Sequence, residues 1–154
     1  MSVAADPRRD SLPPAHLSDA SARDASEGKR PDNPICIIDD DLWVSDSLLA
    51  LLESYGFAAL AYSSGAAFLA DQTHREAKCL VVDQHMPGLE GLDVIAALRR
   101  EGTAVPAVLI TGRLDAGIAE RAKELGILAV LEKPFPVAQL VGLIRAGLEG
   151  RDLE

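Results

Sequence analysis

Residues 80–88 read LVVDQHMPG: an apolar run that stops on an aspartate, then a polar pair, then a Met-Pro-Gly that can only turn. A carboxylate beside an apolar core is costly unless it sits at the mouth of that core, paired or bound to a metal. Asp83 therefore needs partners, and the rest of the chain indicates where they come from.

Working outward, Ile35 to Ile38, Phe57 to Tyr62, Cys79 to Val82, Pro106 to Ile110 and Ile127 to Leu131 read as short apolar strands. Between the first two, Val44, Leu48, Leu51, Leu52 and Tyr55 line one helical face that ends at Gly56, a natural residue for a helix stop. Ser64 to Ala70 reads as a short second helix and Leu92 to Arg100 as a third before Gly102. Ile118, Ala119, Ala122 and Leu125 mark a fourth that closes on Gly126. Pro136 suits the first position of a fifth, with Val137, Leu140, Val141, Ile144 and Leu148 on its apolar face. Strands and helices alternate strictly. Continuously apolar strands joined by helices imply a parallel sheet covered on both faces by right-handed crossovers. The expected class is α/β, a doubly wound five-stranded parallel sheet, whose site lies beyond the carboxyl ends of the strands where the strand order reverses.

Composition bounds the function. The chain has 154 residues, 48% of them hydrophobic, enough for one sizeable core. Residues 1–33 are rich in Pro, Ser, Asp, Ala and Arg and too poor in apolar side chains to order themselves, so a disordered N-terminal tail and one domain over 34–150 are expected. The formal net charge of −9, with no Lys/Arg cluster, argues against nucleic acid and anionic membrane surfaces as partners. Cys36 and Cys79 both lie in apolar runs and read as buried, reduced core residues. The N-terminus has no apolar leader and no stretch is long enough to span a membrane, so a cytoplasmic protein is expected.

At the strand ends stand Asp39, Asp40 and Asp41, then Asp83, Thr111 and, past the fifth strand, Lys133. Carboxylates crowded into one crevice repel each other unless a cation neutralises them. Mg²⁺ suits such a site, because it takes one or two carboxylates and leaves positions open for phosphate oxygens. An aspartate can also be a nucleophile that forms an aspartyl phosphate, with a lysine and a hydroxyl receiving the phosphoryl oxygens.

From Pro34 to about Gly150 the sequence resembles a bacterial response-regulator receiver domain, on the motifs ICIIDDD, LVVDQHMPG, VLITG and LEKPF, in that order. The resemblance implies a flavodoxin-like sheet of strand order 2-1-3-4-5 and a phosphorylation-dependent switch in a two-component system. It implies Asp83 as the phosphoacceptor, and Asp39, Asp40, Asp83 and the backbone carbonyl of His85 as Mg²⁺ ligands. Thr111 and Lys133 would stabilise the phosphate, and the Lys133-Pro134 bond would be cis. The implied partner is a histidine kinase or histidine phosphotransfer protein. A downstream protein would bind the fourth helix, fifth strand and fifth helix, and phosphorylation could bring two copies together as a homodimer. Few residues follow the fifth helix, so a single-domain regulator or a phosphate sink in a phosphorelay is expected, with no enzymatic activity beyond its own phosphorylation and dephosphorylation. The family often carries an aromatic residue three positions before the lysine; here that position is Val130, which has no ring to swing and is stiff at χ1.

Simpler roles exist for each residue. Asp41 suits a helix N-cap, Thr111 before Gly112 could start a turn, and Lys133 could be an exposed lysine. The His85 and Arg113 side chains read as solvent-facing loop residues, although an imidazole near the acceptor could gate water. Trp43 is left open between core and surface. Two other functions compete. A haloacid-dehalogenase-type phosphatase would use Asp39 as its nucleophile, but it leaves Asp83 unexplained, and Leu42 and Trp43 stand where its glycine and threonine would be. A flavodoxin-like cofactor binder would need a Ser/Thr/Gly phosphate loop where this chain has three aspartates.

Overall fold

The computed structural model describes residues 31–71 and 76–153. The expected disordered tail lies, over residues 1–30, outside the described residues. From Asp32 onward the chain forms one compact unit. Its elements are β1 (Ile35–Ile38), α1 (Leu42–Ser54), β2 (Ala59–Tyr62), α2 (Gly65–Ala70), β3 (Cys79–Asp83), α3 (Gly91–Arg100), β4 (Ala107–Thr111), α4 (Ala116–Glu124), β5 (Ala129–Glu132) and α5 (Val137–Leu153). The strands form one sheet, every neighbouring pair parallel, in the order β2-β1-β3-β4-β5. The order reverses between β1 and β3, so the crevice falls where the acidic strand ends lie.

Because side chains alternate across a strand, each strand feeds two cores. Cys36, Ile38, Leu80, Val82 and Leu109 pack with Phe68 of α2, Ile95 and Leu98 of α3 and Ile118 of α4. Ile35, Ile37, Cys79, Val81 and Val108 pack with Leu48 and Leu52 of α1 and with Leu140 and Ile144 of α5. Cys36 and Cys79 are thus buried in opposite halves of the core, as small apolar residues.

Several boundaries differ from the sequence reading, each for a local reason. Phe57 and Ile127, expected in strands, instead complete helix stops. Gly56, at φ +92°, donates to the Glu53 carbonyl while Phe57 donates back to Leu52. Gly126 and Ile127 repeat the pattern on Lys123 and Ala122. Both are glycine-terminated caps in which the next apolar residue folds back on the helix, so it imitates the start of a strand in sequence. Tyr55, placed on the buried face of α1, is the C-cap and is exposed; the Arg145 guanidinium lies 5.9 Å from its ring centroid. Pro106 precedes β4 and Pro136 precedes the first residue of α5 rather than occupying it. Asp83 and Thr111, expected just past their strands, are the last strand residues, paired with Ile110 and Glu132.

Candidate functional site

In-register pairing brings the ends of β1, β3, β4 and β5 to one edge of the sheet. Asp39 follows β1, Asp83 ends β3, Thr111 ends β4 and Lys133 follows β5. One carboxylate oxygen from each of Asp39, Asp40 and Asp83 lies within 4.8 Å of the others. Asp39 and Asp83 are buried and Asp40 is exposed, so the cluster opens to solvent on the Asp40 side.

Lys133 Nζ stands 3.0 Å from Asp83 Oδ1. The ammonium is the partner of that buried oxygen, by charge and by hydrogen bond. The other oxygen, Oδ2, accepts from the His85 backbone N–H at 3.1 Å. Burial pulls the Lys133 ammonium down, but Asp83, Asp39 and Asp41 together outweigh it and hold it above its ordinary value. Asp39 is pushed up to about 6, first by burial and then by the charges of Asp83 and Asp40, against the opposing pull of the Asp41 N–H and Lys133. The Asp41 N–H donates to Asp39 Oδ1 at 2.9 Å. Asp41 itself is the α1 N-cap, its Oδ1 accepting from Trp43 and Val44. Three mutually repelling carboxylates with one oxygen each within 4.8 Å of the others are a donor set suited to a hard divalent cation.

Thr111 is fully buried, and its hydroxyl engages the Arg113 backbone, donating to the carbonyl and accepting from the N–H, both at 3.1 Å. Arg113 is exposed, as expected, and serves Thr111 through its main chain. His85 is exposed too, but its ring is engaged: Nε2 lies 3.2 Å from Thr111 Oγ1. The imidazole thus faces solvent, as expected, while one ring nitrogen also meets the Thr111 hydroxyl. Val130 is half-buried against the α2–α4 side of the core and pairs with Leu109. Trp43 is 85% exposed, which settles its place at the surface. The Lys133-Pro134 bond is cis.

Three contributors escape a reading by sequence motif. Gln84 is buried: its Oε1 accepts from the Leu92 N–H and its backbone carbonyl from Gly91, fastening the start of α3 beneath Asp83. A polar residue directly after a buried strand was the available signal. Gly91 packs so closely that a Cβ there would lie 2.6 Å from the Asp83 carbonyl oxygen. Glu132 accepts from the Leu114 N–H at 3.2 Å and ties the β4–α4 loop to the end of β5.

The family model for the response regulator receiver domain matches residues 35–145. The chain belongs to the receiver-domain family of response regulators. It is 40% identical over 121 residues to the transcriptional regulatory protein FixJ of Azorhizobium caulinodans, covering 79% of this chain and 57% of FixJ. It is 36% identical over 115 residues to the response regulator protein TodT of Pseudomonas putida, covering 75% of this chain and 51% of TodT. The chain thus spans about half the length of these curated relatives. The crystal structure of FixJ-N superposes with a TM-score of 0.70 at 31% identity, over 77% of this chain and 95% of that one. A CheY-like receiver domain from Methanospirillum hungatei, 20% identical, shares the fold with a TM-score of 0.73 over 79% of this chain and 98% of its own. Receiver membership sets aside both the haloacid-dehalogenase and the cofactor-binding readings. Among the described residues no helix is long and apolar enough to cross a membrane.

Proposed function

We propose that this receiver domain is a cytoplasmic phosphorylation switch whose acceptor is Asp83. The observation that carries the reading is the Asp83 carboxylate itself: buried, 3.0 Å from Lys133, and gathered with Asp39 and Asp40 at the mouth of the sheet. A carboxylate oxygen of Asp83 attacks the phosphorus of a phosphohistidine on a histidine kinase or phosphotransfer protein. The P–N bond breaks, its electron pair leaves on the imidazole nitrogen, and a P–O bond forms. Asp39, Asp40, Asp83 and the His85 backbone carbonyl would hold a Mg²⁺ ion, which would neutralise charge on the phosphoryl oxygens. Lys133 pairs with one of those oxygens and the Thr111 hydroxyl donates to another. Water later cleaves the acyl phosphate and returns Asp83 to a carboxylate.

Output passes through the β4–α4 loop. Thr111 is hydrogen-bonded to Arg113, and α4 starts shortly after on its Asp115 cap. Val130 has no ring to rotate, so drawing Thr111 toward the phosphate moves the loop and α4 rather than β5. The face of α4, β5 and α5 is the surface offered to a downstream protein or to a second phosphorylated copy.

Intact-mass spectrometry after incubation with a small phosphodonor and Mg²⁺ tests the assignment. One phosphoryl group is expected on the parent and on Asp41→Asn, and none on Asp83→Asn. Labelling that persists in Asp83→Asn and disappears in Asp39→Asn would overturn it.

A further inference from the structure

The geometry points to His85 as a positioning residue that latches Thr111 in its resting place, an inference that rests on the proposed role of Asp83. A hydroxyl has one proton and two lone pairs to offer. Around Thr111 Oγ1 three groups lie within hydrogen-bond distance: the Arg113 carbonyl, the Arg113 N–H and His85 Nε2. The conclusion holds for either ring tautomer. With Nε2 protonated, the imidazole donates to Oγ1; with Nε2 bare, the ring takes the hydroxyl proton in place of the Arg113 carbonyl. In the first state the ring fills a lone pair and the proton rests on the Arg113 carbonyl, in the second the ring itself holds the proton, and in both His85 adds one bond that keeps the Thr111 side chain turned away from Asp83.

Two features make this a latch rather than a passing contact. The Thr111 backbone is pinned, its carbonyl accepting from the Lys133 N–H at 2.8 Å, so adjustment falls on the side chain and the residues after it. His85 is anchored at the other end, its own N–H donating to Asp83 Oδ2. One residue therefore touches both groups that phosphoryl transfer must rearrange, the acceptor through its main chain and the hydroxyl through its ring. A protein whose binding-competent state is only partly populated binds more weakly by that fraction, and releasing the latch removes part of the handicap.

One side-chain hydrogen bond corresponds to roughly a 5-fold change in such an equilibrium. Calorimetric titration of beryllofluoride with Mg²⁺ should therefore show His85→Ala binding this phosphate mimic ~5-fold tighter than the parent. His85→Gln, which keeps an N–H donor, should restore much of the parent's affinity. In a Thr111→Val background the gain from His85→Ala should vanish, because the coupling needs the hydroxyl. A gain of equal size without the hydroxyl would mean that removing the ring merely opens the crevice, and it would overturn the latch, as would an unchanged affinity in His85→Ala. A second measurement needs neither metal nor phosphate: amide exchange at Arg113, whose N–H is held by Thr111 Oγ1, should quicken in His85→Ala. An unchanged rate there overturns the latch even if Asp83 is the acceptor. Failure of the parent to bind beryllofluoride, together with quickened exchange at Arg113, would count against the acceptor reading and leave the latch standing.

Discussion

Replacing Asp39 by asparagine should stabilise the metal-free protein near neutral pH. The native carboxyl is raised from 3.8 to about 6, with burial the largest cause and the charges of Asp83 and Asp40 adding to it. A group whose pKa is higher in the folded state makes the folded state bind more protons, so its stabilisation is complete below pH ~4 and is lost as pH rises through ~6. At about 1.36 kcal/mol per unit, the ionised side chain costs the fold up to ~3 kcal/mol above that window. Asparagine removes the charge and keeps an oxygen that can accept the Asp41 N–H, as the Asp39 carboxylate does. Urea unfolding followed by circular dichroism, in chelator, should place the variant about 1–3 kcal/mol above the parent near neutral pH. Near pH ~4 the gap should narrow. Saturating Mg²⁺ should then reverse the order, because a ligand that binds only the folded state stabilises by mass action and the variant lacks one of the ligands. A variant less stable than the parent in chelator at neutral pH, or a gap that does not change with pH, would refute the claim that carboxylate crowding strains the apo site.

Two further outcomes follow from the same geometry. Gly91→Ala should cost about 1–3 kcal/mol by overpacking and slow labelling of Asp83, because its Cβ would press on the Asp83 carbonyl oxygen at 2.6 Å and on Leu109 Cδ1 at 2.9 Å; unchanged urea midpoint and labelling rate would contradict the packing argument. Beryllofluoride with Mg²⁺ should alter amide exchange chiefly over Gly112 to Lys123 and only weakly around Val130, and a response confined to the Asp39, Asp83 and Lys133 loops with α4 silent would favour a phosphate sink over a switch.

The fold was legible because its signals are redundant. Five apolar runs, three helices with clear apolar positions and three glycine stops point to one topology, and no boundary error of one or two residues changes which strand ends meet. The boundaries themselves were not legible at Phe57 and Ile127, since an apolar residue closing a helix cap and one opening a strand carry the same side chain. The acidic cluster and Lys133 could be read because they stand at strand ends, and strand register gathers strand ends at one edge. Gln84, Gly91 and Glu132 could not be assigned, because each acts through hydrogen bonds or a close approach to partners six or more residues away in the sequence. The engagement of His85 depends on Thr111, 26 residues further along the chain and on the neighbouring strand, and no local pattern announces it.

These contacts also bear on which groups a phosphoryl group on Asp83 would disturb. The carboxylates of Asp39, Asp40 and Asp83 repel one another, and in the metal-free protein the ammonium of Lys133 is the positive charge paired with Asp83. If Asp83 is phosphorylated as proposed, that pairing cannot persist unchanged, because the phosphoryl oxygens would lie further out and carry more charge. Lys133 can follow them, because its side chain is 41% exposed and only its end is engaged. Thr111 cannot follow at no cost, because it is fully buried and its hydroxyl is already committed to Arg113 and His85. On the proposed reading Lys133 and Thr111 would divide the work: the lysine would provide charge that moves with little resistance, and the threonine would couple the phosphate to the backbone of the β4–α4 loop. Signal strength in this domain should depend on how firmly Thr111 is held beforehand, which makes the residues facing its hydroxyl, rather than the acidic cluster, the place where sensitivity is tuned.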